Sequence, residues 1–77
     1  MASFLDSLIP ANSLRLGSSG EEVKKLQIAL NQQLGTSLTV DGNFGPGVAS
    51  AVIAFQIKNG LGPDSVVGPK TKKALGL

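Results

Sequence analysis

Five side chains in this sequence carry a carboxylate that could move protons at a glycosidic bond: Asp6, Glu21, Glu22, Asp41 and Asp64. Cleaving a glycan strand takes two such groups flanking a cleft, one held protonated and one ionised. Each of these has a plainer task. Glu21 and Glu22 follow Ser18-Ser19-Gly20 at the head of a periodic stretch, where negative charge suits the start of a helix. Asp41 and Asp64 stand 23 residues apart and open two similar turns, in which a short carboxylate can bond its own backbone. With no histidine and no cysteine, a serine or threonine nucleophile lacks an imidazole base, and zinc lacks its usual ligands. Asp41-Gly42-Asn43 has a faint likeness to a calcium loop, but the remaining acidic ligands are missing. Lys70, Lys72 and Lys73 could face DNA, yet no base-reading Arg or Gln accompanies them. The expectation is no catalysis, no metal, no cofactor and no nucleic-acid partner.

The elements that must position any site are small. A chain of 77 residues makes one domain, and at that size folding hides only roughly 60 % of the surface of the unfolded chain. Without cysteine, apolar packing has to stabilise it unaided. Aromatics are confined to Phe4, Phe44 and Phe55, so Leu, Val, Ile and Ala form the core. The net charge of +2 is too small to name a partner. Met1 to Pro10 lacks the basic start and apolar run of a signal peptide. No apolar stretch approaches the roughly 18 residues of a membrane span, so membrane insertion is not expected.

Residues 1–13 read as a short N-terminal arm, with Phe4, Leu5, Leu8 and Ile9 three or four apart, ended near Pro10. Residues 14–77 read as the domain. Ser18 and Ser19 offer N-cap hydroxyls to a first helix, whose core stripe is Val23, Leu26, Leu30 and Leu34 with Ala29 beside it. Gly35 ends it. Pro46 begins a second helix with Val48, Ala51, Val52 and Phe55 inward, and Pro69 begins a shorter third with Thr71, Ala74 and Leu75 inward. The two turns before those prolines, Asp41-Gly42-Asn43-Phe44-Gly45-Pro46 and Asp64-Ser65-Val66-Val67-Gly68-Pro69, are an internal repeat. The expected fold is all-α: a compact three-helix bundle with two repeated Asp-x-x-x-Gly-Pro turns and a short N-terminal arm.

These residues carry a resemblance. Leu14-Arg15-Leu16-Gly17, Gly20-Glu21-Glu22-Val23 and Leu26-Gln27 are followed by Val40-Asp41-Gly42, Phe44-Gly45-Pro46, Ala51-Val52 and Phe55-Gln56. Gly60-Leu61, Val67-Gly68-Pro69, Thr71 and Ala74-Leu75 complete the pattern. Over about residues 14 to 75 the chain resembles the peptidoglycan-binding domains of cell-wall lytic enzymes and phage lysins. The resemblance implies a non-catalytic module that binds peptidoglycan and targets a lytic enzyme or phage particle to the bacterial wall. With no export signal of its own, such a module would arrive by lysis, on a virion or by fusion. The alternative is an assembly role, with a hydrolase or phage tail protein as partner. The chain departs from the family pattern at Ser65, where glycine is usual, at Val48, where threonine is usual, and at Lys72, where tryptophan is common.

Two site expectations follow. The Leu16 to Gly20 loop should approach the Asp41 to Gly45 turn, where small residues expose backbone N–H groups to a sugar or stem peptide. There Arg15 or a neighbouring lysine would meet a stem-peptide carboxylate and Ser18, Ser19, Asp41 and Asn43 would hydrogen-bond, while Phe44 would either pack in the core or supply an apolar wall. Ile28, Ile53 and Ile57 stand where relatives carry polar or basic residues. At about 100° per residue they project away from the core stripes, which suits either cover by the arm or a docking surface for another protein.

Overall fold

The computed structural model describes residues 13–77. The expected arm, apart from Ser13, lies outside the described residues, as does any cover it gives to the isoleucines. The described residues form three helices, α1 (Glu21–Leu34), α2 (Pro46–Lys58) and α3 (Pro69–Leu75), with α1 packed against both others.

The α1 stripe buries as its spacing requires: Val23, Leu26 and Leu30 are fully inside, and Leu34 packs at the edge of the core. Against them lie Val48, Val52 and Phe55 of α2, Leu75 of α3, and two turn residues, Phe44 and Val67. Proline at the first position starts α2 and α3, where its missing N–H removes no helical bond. Left-handed Gly60 and Gly76 stop those helices, and the next N–H reaches back six residues inclusive, Leu61 to the Gln56 carbonyl at 2.8 Å and Leu77 to Lys72 at 2.9 Å.

Two details differ from expectation. The α1 N-cap is Gly20, at φ +119° and without a side-chain cap, rather than a serine hydroxyl. The reason is that the backbone of residues 14 to 20 is already committed. It forms a strap paired with both turns, through Leu14 and Val67 and through Ser19 and Asn43. The Ser18 hydroxyl meanwhile accepts the Arg15 N–H at 3.0 Å. In α3, Thr71 and Leu75 are buried, but Ala74 is exposed. It sits about 100° around the axis from Leu75, beyond the narrow stripe that seven residues can bury.

The two repeated turns demand left-handed backbone at their second residue, φ +77° at Gly42 and φ +63° at Ser65. Gly42 suits this on two counts, since a side chain there would be strained at φ +77° and its Cβ would stand 3.1 Å from the Gly20 carbonyl of the strap. Ser65 carries a side chain and takes the steric cost of the left-handed region, about 1–2 kcal/mol. Glycine would relieve that strain but adds unfolded-state entropy of about 0.5–1 kcal/mol. Ser65→Gly is therefore expected to stabilise the domain by about 0.5–1 kcal/mol, read as a higher urea midpoint at unchanged m-value.

Candidate functional site

Each turn is held from inside by a buried glutamine. Gln27, 1 % exposed on α1, donates from Nε2 to Asp41 Oδ1 at 2.9 Å and to the Asn43 carbonyl at 3.0 Å. Its Oε1 accepts the Gly42 N–H at 2.9 Å. Gln56 on α2 repeats the arrangement, donating to Asp64 Oδ1 and to the Val66 carbonyl, both at 3.0 Å, and accepting the Ser65 N–H at 3.1 Å. Asp41 and Asp64 close their own turns by accepting the Asn43 and Val66 N–H groups, both at 2.9 Å. The amide donated by Gln27, followed by the Asn43 N–H, holds the Asp41 carboxyl below its ordinary pKa.

Each clamp forms one wall of a cleft, and the repeat makes the clefts counterparts. The first, about 180 Å³, lies beside Gln27 and Asp41; the second, about 380 Å³, lies beside Gln56 and Asp64. Leu38 and Leu61, and Gly45 and Gly68, hold matching places in the two linings. Four places differ: Thr39, Asn43, Gly47 and Val48 in the first are Gly62, Val66, Lys70 and Thr71 in the second. The hydroxyl missing at Val48 is present at Thr71, where it lies 3.2 Å from Gln56 Nε2 and shares one of that amide's two protons.

The structure brings Ser18, Ser19, Asp41 and Asn43 together along the seam between strap and first turn. The expected display of backbone N–H groups is not what forms there. The N–H groups of Gly17 and Gly20 donate to the Phe44 and Gly42 carbonyls at 3.0 and 2.9 Å, and Phe44 N–H donates to the Ser18 carbonyl at 2.9 Å. They stitch the strap down, with Ser19, Asp41 and Asn43 exposed along it and Ser18 half-buried. Phe44 is 2 % exposed, so its ring packs in the core and walls no surface. Arg15 sits half-buried on the strap. Ile28 and Ile57 are 45 % and 63 % exposed on the outer faces of α1 and α2, while Ile53 is half-buried. Lys72, at the place of the common tryptophan, lies 3.9 Å from Glu22 in a partly exposed ion pair.

Sequence reasoning overlooked Gln27 and Gln56, and with them the second cleft. A signal was there: each glutamine stands one turn after a core valine, Val23 and Val52, on the buried stripe.

Comparison with known proteins is decisive about kinship. The sequence profile described as a peptidoglycan binding domain matches residues 19–75. The chain belongs to this family. Among its relatives is the zinc D-Ala-D-Ala carboxypeptidase of Streptomyces albus G, 44 % identical over 63 residues, which cover 79 % of this chain and 25 % of that protein. The SleB N-terminal domain superposes with a TM-score of 0.82 at 38 % identity, covering 88 % of this chain and 93 % of that one. A Burkholderia AP3 phage endolysin gives 0.79 at 41 % identity, covering 83 % of this chain and 24 % of the endolysin. The chain thus spans about a quarter of the carboxypeptidase and of the endolysin.

The clamp of this peptidoglycan-binding domain generates two predictions. Gln27→Leu keeps the volume but leaves the buried Gly42 N–H and the Asn43 carbonyl without their partner, an expected loss of about 2–4 kcal/mol in urea unfolding. Asp41 has its pKa lowered by folding, so its contribution to stability is complete above the ordinary carboxylate pKa and fades as pH falls through the folded value. Asp41→Asn keeps an Oδ1 acceptor without the charge. It is expected to be less stable than wild type at pH 7 and to lose less stability on acidification below about pH 4, measured by thermal melts across pH.

Proposed function

We propose that this chain is a non-catalytic module that binds peptidoglycan and holds an attached or associated lytic enzyme or phage particle at the bacterial cell wall. What supports this reading is the seam between strap and first turn, where Ser19 pairs with Asn43 and Ser18 and Asp41 lie alongside; on this reading the four side chains meet one ligand. Arg15 supplies a cation on the same strap. Hydroxyl, amide and carboxylate groups on a well-braced backbone suit the hydroxyl and N-acetyl groups of a glycan strand. A catalytic reading finds no support in the turn carboxylates. Both serve as turn acceptors, and the lowered pKa of Asp41 is the opposite of what a general acid needs.

Exposed Ile28 and Ile57 favour a second reading, an assembly role in which the outer faces of α1 and α2 contact a hydrolase or phage tail protein. Size-exclusion chromatography separates the two: a monomer that binds wall supports the targeting module, and self-association without wall binding supports assembly.

The direct test is a pull-down on purified sacculi. Asn43 enters the clamp only through its backbone, so Asn43→Ala should stay folded by circular dichroism. Together with Ser18→Ala, it is expected to lower retention on sacculi about fivefold, the scale of one or two lost hydrogen bonds. Retention equal to wild type would move the site away from the seam.

A further inference from the structure

The second cleft differs from the first in ways that select a ligand. Resting on the reading of this chain as a wall-binding module, we propose that the Gln56 cleft is a subsite for the free carboxylate of a wall peptide, with Lys70 and Thr71 as its anion-binding pair.

Size separates the two clefts. At about 380 Å³ the second lies within the range of small-ligand sites, roughly 300–1,000 Å³, and the first, at about 180 Å³, falls below it. Chemistry separates them further. Thr71 is 5 % exposed and accepts from Gln56, but its own proton has no acceptor among the described residues. A buried hydroxyl with an unused proton wants an acceptor, and the cleft is where one can enter. Lys70 lines the same cleft, is exposed, and has no ion-pair partner among the described residues. An ammonium and a hydroxyl donor on one wall are complementary to a carboxylate. The counterparts of this pair in the first cleft, Gly47 and Val48, offer neither charge nor donor.

The remaining lining fits a peptide end rather than a bare anion. Leu61, Val66 and Pro69 give an apolar wall for a short alkyl side chain. Asp64 spends Oδ1 on Gln56 and Val66, and its second oxygen has no donor among the described residues. That oxygen suits a peptide N–H. Sugars would satisfy the hydroxyl but leave Lys70 without its complement.

The test uses the whole chain and two probes: purified sacculi, and a soluble stem peptide with its terminal carboxyl either free or amidated. Followed by NMR titration, the free peptide should shift the amides of Leu61, Val66 and Thr71. Amidation and Lys70→Gln should each weaken binding about tenfold, the scale of one charge-assisted hydrogen bond. Thr71→Val, which copies the first cleft, should weaken it severalfold in a protein still folded by circular dichroism. Ser50→Ala, exposed on α2 and outside both cleft linings, should leave the peptide titration unchanged. Equal affinity for the amidated peptide, undiminished binding by Lys70→Gln, or shifts centred on Leu38 and Val48 instead would overturn the proposal. So would a wild-type chain that binds sacculi but not the free peptide. A wild-type chain that does not bind sacculi would sink the wall-binding reading along with it.

Discussion

A glutamine side chain inside a small apolar core is a demand placed on everything around it. Its amide brings two donors and an acceptor, and leaving them unmet costs on the order of 1–3 kcal/mol per group. In this domain Gln27 and Gln56, each 1 % exposed, can be satisfied only if a turn folds over each of them with its Asp Oδ1, its second N–H and its third carbonyl aimed inward. That requirement accounts for much else. It puts left-handed backbone at Gly42 and Ser65, fixes where the prolines can start α2 and α3, and carries Phe44 and Val67 into the core between the helices. The strap then pairs with the backbone of the clamped turns and closes the fold.

Helices were the most legible feature, because their signals are local. The three-to-four spacing of Val23, Leu26 and Leu30, the prolines at 46 and 69, and the glycine at 35 each act within a turn or two of themselves. The repeat at offset 23 was equally plain. What escaped depended on partners distant in the chain. Gln27 has no evident task until Asp41 is known to sit above it, and Ser18 reads as a cap until the strap is seen to be paired elsewhere. Phe44 was ambiguous for the same reason: an aromatic in a turn faces the ligand or the core according to which way the backbone is pinned, and its pairing with residues 17 and 18 turns it inward. Of the candidate site, the seam between Ser18, Ser19 and Asn43 was foreseeable. The cleft beside Gln56 was not, since its floor is a glutamine and a threonine buried from two different helices.

The repeat also shows how one device can serve two ends. Both copies keep the clamp, which is the structural part, while the residues around it diverge: Asn43 against Val66, Gly47 against Lys70, Val48 against Thr71. Substitution at these rims leaves the bonds between glutamine and turn intact, so ligand preference can drift without unfolding the scaffold. That freedom suits a family whose members are joined to enzymes as different as a carboxypeptidase and an endolysin.

The strap has a further consequence for how the domain is wired into larger proteins. Leu14 pairs with Val67 just before α3, and Leu14 and Leu77 line the same small hollow. The start of the strap and the residue after the α3 cap therefore meet at one corner. A unit with that geometry can be spliced into a host loop, hung from either end or strung in series without reorganising its interior.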